Sequence, residues 1–177
     1  MEVQKNIFFY FIIAIIFIIL KLGYTQANND NLVFLLKPTD KMVGILSSST
    51  SIYHADQGYY HEKLNILIDK SCSGFNFWLI SFLLFNYLSV KHFRHAFQKA
   101  LSIPLSLFVA YLLTLFANTS RIYTSIIIHT QSVSLFPNHQ QIIHECIGII
   151  TNLTFLIITY LLLDKLLTYN QQNAKFS

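Results

Sequence analysis

Apolar residues in this chain come in long runs. The first, Ile7 to Leu20 (IFFYFIIAIIFIIL), extends through Leu22 with one polar residue at Lys21. A second covers Gly74 to Val90, a third Leu101 to Ala117 and a fourth Ile142 to Leu163. Each holds roughly 16 to 22 residues, enough for a helix across a hydrocarbon core about 30 Å thick. The pattern predicts four transmembrane helices. The first run is long for the apolar part of a signal peptide, and no A-x-A-like pattern follows it. It reads as a retained span, with a cleaved signal as the alternative. The stretch Asn31 to Leu46 is broken by Lys37, Pro38, Asp40 and Lys41, and predicts an interfacial or half-inserted segment.

Between the first two spans the pattern changes. In Ser51 to Lys70 (SIYHADQGYYHEKLNILIDK), Asp56, Gln57 and Gly58 form a turn signal, and Leu64, Ile66 and Ile68 recur at alternate positions, with polar Lys63, Asn65 and Asp69 and the apolar Leu67 around them. That alternation predicts a short hairpin leading to Cys72, either shaping a site there or acting as a packing cap. The expected fold class is an all-α polytopic membrane protein. It has four clear transmembrane helices, an interfacial segment and a short hairpin on the outer face, in one integral-membrane domain over 1–177.

Composition agrees. The chain is 54% hydrophobic and 11% charged, against about 25% charged in a soluble domain. The formal charge of +4 is small, and no basic tract is interleaved with aromatics as a nucleic-acid surface requires. The partner implied directly is the lipid bilayer; nucleic acid is not expected, and the oligomeric state stays open.

The basic residues orient the spans. The link between the second and third spans, KHFRHAFQKA, holds Lys91, Arg94 and Lys99 and no acid, which makes it cytoplasmic by the positive-inside rule. The N-terminus with Glu2 and Lys5 and the tail with Lys165 and Lys175 then lie on the same side. These three segments carry six basic and two acidic residues, leaving six of each elsewhere from totals of 12 and 8. This topology puts Cys72, Arg121 and His144 at outer helix ends, so a thiol, a guanidinium and an imidazole can meet.

Each of the three has an ordinary reading beside a chemical one. Cys72 precedes the second span, with Ser71 or Ser73 able to cap it; a helix N-terminus favours the thiolate. Gly74 leaves room for a substrate carbonyl, while the ordinary reading is a small buried hydrophobe. Arg121, in ANTSRIYTS, sits three residues after Asn118, and together they can hold a carboxylate or an oxyanion. Arginine at a span end also reaches lipid headgroups. His144 can exchange protons near neutral pH, with Gly148 one turn later allowing close packing; an interfacial histidine is the alternative. Cys146 is a second thiol, two residues from His144 and so on roughly the opposite helix face. A Cys72–Cys146 disulfide would remove the nucleophile. His54, His61, His129 and His139 lack zinc spacing and no HExxH occurs, so neither metal nor cofactor is expected.

Taken together, SCSG at 71–74, ANTSRI at 117–122 and HECIGIITNLTF at 144–155 resemble, in order, the three signatures of the exosortase/archaeosortase family. These are polytopic membrane cysteine transpeptidases, and the short type called exosortase K is the most similar. The resemblance covers roughly Lys37 to Leu163, the implied catalytic core. It implies Cys72 as nucleophile, Arg121 as the signature arginine and His144 as the third catalytic residue, with Asn118, Ser73, Gly74 and Gly148 in support. The implied activity is cleavage of C-terminal sorting signals of exported proteins through a Cys thioester, for surface sorting. The implied substrates are exported proteins with a C-terminal motif, a transmembrane helix and a basic tail. The implied location is the bacterial cytoplasmic membrane, with the site facing outward. Many exosortases have about eight spans, so the Pro-Glu-Pro signal of the family is not carried over to this four-span chain. Two other classes compete: a non-enzymatic membrane scaffold or transporter subunit, and a redox protein using both cysteines.

Overall fold

The computed structural model describes the backbone of residues 2–132 and 140–173, and side chains for 6–128 and 145–169. The elements run α1 (Glu2–Gln26), α2 (Val33–Ser47), β1 (Ile52–His54), β2 (Gly58–His61), β3 (Ile66–Ile68), α3 (Phe75–His92), α4 (Ala96–Ser132) and α5 (Gln140–Asn173). Segments of α1, α4 and α5, and α3 with the turn before it, are long and apolar enough to cross a membrane: Asn6–Gln26, Lys70–His92, Ala96–Ile128 and Glu145–Tyr169. Phe8, Phe11, Ile18 and Ile19 of α1 and Ile149, Ile150, Leu153 and Ile157 of α5 are exposed. Contiguous apolar surface of this kind is rare on soluble monomers and normal against lipid tails. The chain is mostly helical and built as a multi-pass membrane protein.

Two expected boundaries move. The apolar run ending at Ala117 continues as helix to Ser132, so α4 has 37 residues and is about 55 Å long. Hydropathy marks where lipid contact ends, whereas the helix continues because its next polar side chains are buried against protein. Asn118 and Thr119 are both buried, and the Thr119 hydroxyl points at Met42 Sδ, 3.7 Å away. The hairpin is likewise larger than expected: three antiparallel strands in the order β1-β2-β3. His54 pairs with Gly58 across the first turn and His61 with Ile66 across the second.

The chain divides into two compact units. One combines the chain up to Thr25, Asn76–Leu113 and the chain from Phe155; the other combines Gln26–Phe75 and Thr114–Thr154. The first has a core of Phe9, Ile13, Phe82, Phe85, Val90 and Ala110. Its polar side chains are tied in pairs: Lys21 to Asn76 at 2.6 Å, Lys99 to Asn6 at 2.5 Å and Lys91 to Asp164 at 3.0 Å.

In the second unit α2 lies against the sheet. With 15 residues it reaches only about 22 Å, too short to span. Its buried face is Leu35, Leu36, Thr39, Asp40 and Val43, which puts Asp40 inside the apolar stripe that it interrupts in the sequence. The helix stops at Ser48, in the left-handed region at φ 51°, and Ser49 N–H turns back to Gly44 O at 3.0 Å. A side chain at Gly44 would meet Ser49 O at 2.9 Å, so the reversal needs glycine there. It carries Ser49 Oγ to 2.6 Å from His61 Nδ1, while His61 Nε2 lies 2.8 Å from Asp40 Oδ1. His61 is 1% exposed and Asp40 7%. His61, considered above only as a metal ligand, is thus a buried strand residue fastening the sheet to α2.

His61→Leu strands the Asp40 carboxylate in the interior. We expect it to lower unfolding free energy in detergent micelles by about 3 kcal/mol, the scale for breaking one buried pair; adding Asp40→Leu should restore part of it. On the sheet surface, Tyr53 donates a hydrogen bond to Asp30, and that bond pushes the phenol pKa up from 10.0 to about 12. The folded-state pKa is raised, so this contribution is complete below pH 10 and is lost as pH rises through about 12. The difference in melting temperature between wild type and Tyr53→Phe should therefore vanish across that interval.

Candidate active site

Cys72 is held by its main chain. Asp69 ends β3's outgoing strand path and opens a 3-10 turn, Lys70–Cys72, by accepting from Ser71 N–H at 2.9 Å. Lys70 N–H donates to Asn29 Oδ1 at 2.8 Å, and Lys70 Nζ donates to Ala27 O at 2.7 Å. Cys72 N–H donates to Asp69 O at 2.9 Å. Its carbonyl accepts from Asn118 Nδ2 at 2.5 Å. Both main-chain groups of Cys72 are occupied, which fixes its Cα and leaves the side chain as its adjustable part.

Cys72 lies in the 3-10 turn and outside the helix that follows it. Gly74 takes φ +69°, which breaks the helical path, so α3 starts at Phe75 and Cys72 stands just before it. Of the two candidate caps, Ser73 serves α3: its Oγ accepts from Phe75 N–H at 3.3 Å. Ser71 bonds back to Asp69 at 2.6 Å. Gly74 is needed for space as well as for φ. A side chain there would meet Thr114 Cγ2 at 3.0 Å and Asn118 Cγ at 3.1 Å.

Asn118 is 3% exposed and, through its bond to Cys72, joins the SCSG segment to α4. Its expected role as a second oxyanion donor changes accordingly: one amide proton already goes to the Cys72 carbonyl, so Asn118 positions the turn. Arg121 lies three residues on, on the same helix face. A side chain added at Gly148 would lie 3.4 Å from Arg121 Cδ and 3.7 Å from Nη1, so α5 passes close along that edge of the side chain. The opposite edge carries Nε and Nη2, and both are buried with no hydrogen-bond partner among the described residues. These two donors form the fork that binds a carboxylate or oxyanion side-on, and leaving both unmade inside a protein is costly.

The Cys72 thiol lies 3.8 Å from Ser71 Oγ and 4.0 Å from Leu67 O and opens on a cavity of about 330 Å³ lined by Leu64, Ile66, Ile68, Ile122 and Ile126 among others. Arg121 does not line it. Cys72 and Cys146 are both free thiols, Cys146 being exposed, so the pairing that would have removed the nucleophile is not formed. His144 belongs to α5, and its side chain is outside the described residues, as are those of His129 and His139.

Three features of the site escaped the sequence reading. The α4 continuation had a signal in the i, i+3 spacing of Asn118 and Arg121. The Asp40–His61 link had half a signal, Asp40 recurring four residues after Leu36 on an apolar face. The cavity had none, because its walls come from the sheet and from α4, over 50 positions apart. Comparison of the chain with protein-family models, with curated proteins and with solved structures gives no match.

Gly74→Ala should lower stability by about 1 to 2 kcal/mol from its left-handed φ alone, with further loss from the Thr114 and Asn118 contacts. Thermal denaturation in detergent measures the total. Thr114→Ser, which removes one of the contacted carbons, should recover part of the loss but not the conformational share.

Proposed function

We propose that this chain is a membrane-embedded cysteine peptidase or transpeptidase of the exosortase type, acting on C-terminal sorting signals of exported proteins. The observation that carries the reading is the meeting of the three signature segments at α4. Asn118 grips Cys72 from the first segment, and Gly148 from the third lies against Arg121. Cys72 and Asn118 are 46 residues apart and Arg121 and Gly148 are 27 apart, and approaches across such separations support a catalytic constellation over separate headgroup anchors.

In this reading the substrate's transmembrane helix docks in the bilayer and presents its motif at the outer face of the cytoplasmic membrane. The Cys72 thiolate attacks the scissile carbonyl carbon, forming the S–C bond and moving the carbonyl electrons onto oxygen. The free Nε–Nη2 edge of Arg121 receives that oxyanion. His144 takes the thiol proton and delivers it to the departing amine as the C–N bond breaks. The thioester then passes its acyl group to an acceptor amine or to water. Docking in the membrane supplies orientation before any bond changes.

The test is the C-terminal state of exported membrane proteins in cells carrying wild type, Cys72→Ala or Cys146→Ala. Retention of the C-terminal segment only in Cys72→Ala is the expected result; identical processing in all three refutes the reading and favours a scaffold. Equal defects from either cysteine would point instead to redox chemistry. Arg121→Lys keeps the charge but loses the fork. It should slow processing by about 100-fold or more, the usual loss for one oxyanion donor, in a pulse-chase of any substrate so found.

A further inference from the structure

The sheet beside Cys72 has an open edge that ends at the thiol. β3 is the last strand in the order β1-β2-β3, so one of its sides has no strand partner among the described residues. Main-chain groups alternate in direction along a strand. Ile68 O points inward, since a side chain at Gly58 of β2 would lie 2.4 Å from it. Leu67 C=O therefore points outward, and the Cys72 thiol sits 4.0 Å from that oxygen. Every residue of β3 lines the 330 Å³ cavity, as do Ile122 and Ile126 across from it. A water's share of liquid volume is about 30 Å³, so the space holds the equivalent of roughly ten waters, ample for a large side chain. Lys63 is the one charged residue on its wall, which disfavours a basic occupant.

Resting on the peptidase reading above, we propose that the substrate binds as an extended strand added to the β3 edge, pairing with Leu67, and drops one large apolar side chain into this cavity next to the scissile bond. Main-chain pairing then supplies affinity and the cavity supplies selectivity, the usual division in strand addition. Ile66, Ile68, Ile122 and Ile126 are the specificity-determining walls.

The experiment uses the full-length Cys146→Ala protein in native membranes, where Cys72 is the one thiol of the chain. Acetyl-tripeptide chloromethyl ketones with Leu, Ala or Lys next to the ketone are compared for the rate of Cys72 alkylation, read by intact mass. Leu should exceed Ala by about tenfold, with Lys slowest. Ile126→Trp should bring the Leu-to-Ala ratio near one. Leu67→Pro removes the outward N–H, which an edge strand tolerates. It should slow Leu and Ala probes alike by about fivefold while keeping their ratio. Equal rates for Leu and Ala in the parent protein overturn the proposal and leave the nucleophile reading standing; this comparison needs neither variant to fold. If N-octyl iodoacetamide outpaces iodoacetamide by the same margin, the cavity is an acyl-chain site and the proposal is likewise overturned. A Cys72 that iodoacetamide never reaches overturns the nucleophile reading and the proposal together.

Discussion

The hydrogen bond from the Asn118 amide to the Cys72 carbonyl is the point on which the site depends. It crosses 46 positions of sequence and closes only because Gly74 lacks a side chain where one would strike Asn118 and Thr114. A buried amide meeting a carbonyl in a low-dielectric interior is worth keeping, since separating them leaves two unsatisfied polar groups. The bond turns a short turn before a membrane helix into a fixed platform. Asp69 holds the same turn from the other side, so the thiol's location does not rely on its own weak contacts.

A second buried polar link supports the platform at one remove. Asp40, His61 and Ser49 form a hydrogen-bonded chain between α2 and β2, and β2 carries β3, whose end leads into the Cys72 turn. The order serine, histidine, aspartate is that of a hydrolytic triad, but geometry alone does not make one. His61 is 1% exposed and Ser49 9%, and none of the three lines the cavity beside the thiol. Buried in this way the chain serves to fix register between a helix and a sheet, the task for which buried polar links are best attested. Arg121 is the contrasting case. Its Nε and Nη2 are buried with no hydrogen-bond partner among the described residues, a costly arrangement that the Asp40–His61–Ser49 chain avoids.

Much of the membrane architecture was legible in the residues because lipid imposes a blunt requirement of length and apolarity. Ile7–Leu22 and Ile142–Leu163 could be read from that requirement alone. It fails where a helix leaves lipid for protein contact: nothing in the hydropathy of Asn118 or Thr119 distinguishes a helix end from a helix continuing into a buried interface. Cys72 and Arg121 were legible as candidates because charge asymmetry placed them on one side. Their connection was not, because it runs through Asn118 Nδ2 and the absence of a Cβ at Gly74 and Gly148. Pairing across such distances depends on tertiary packing, which no local pattern encodes. The third strand was missed for a related reason: the alternation at Leu64, Ile66 and Ile68 does not mark the second reversal, at Glu62–Leu64, that separates β2 from β3.

The central claim is that the Cys72 sulfur carries the acyl group of the substrate. The most direct measurement is mass spectrometry of the Cys72-containing peptide, from protein denatured rapidly in acid from growing cells, with and without hydroxylamine. The account predicts an acyl-peptide adduct on Cys72 that hydroxylamine removes and that is depleted when His144 is replaced, since His144 acts in forming it. Cys72 recovered only as a free thiol, with the hydroxylamine-labile adduct elsewhere or nowhere while sorting signals are still being cleaved, would contradict it.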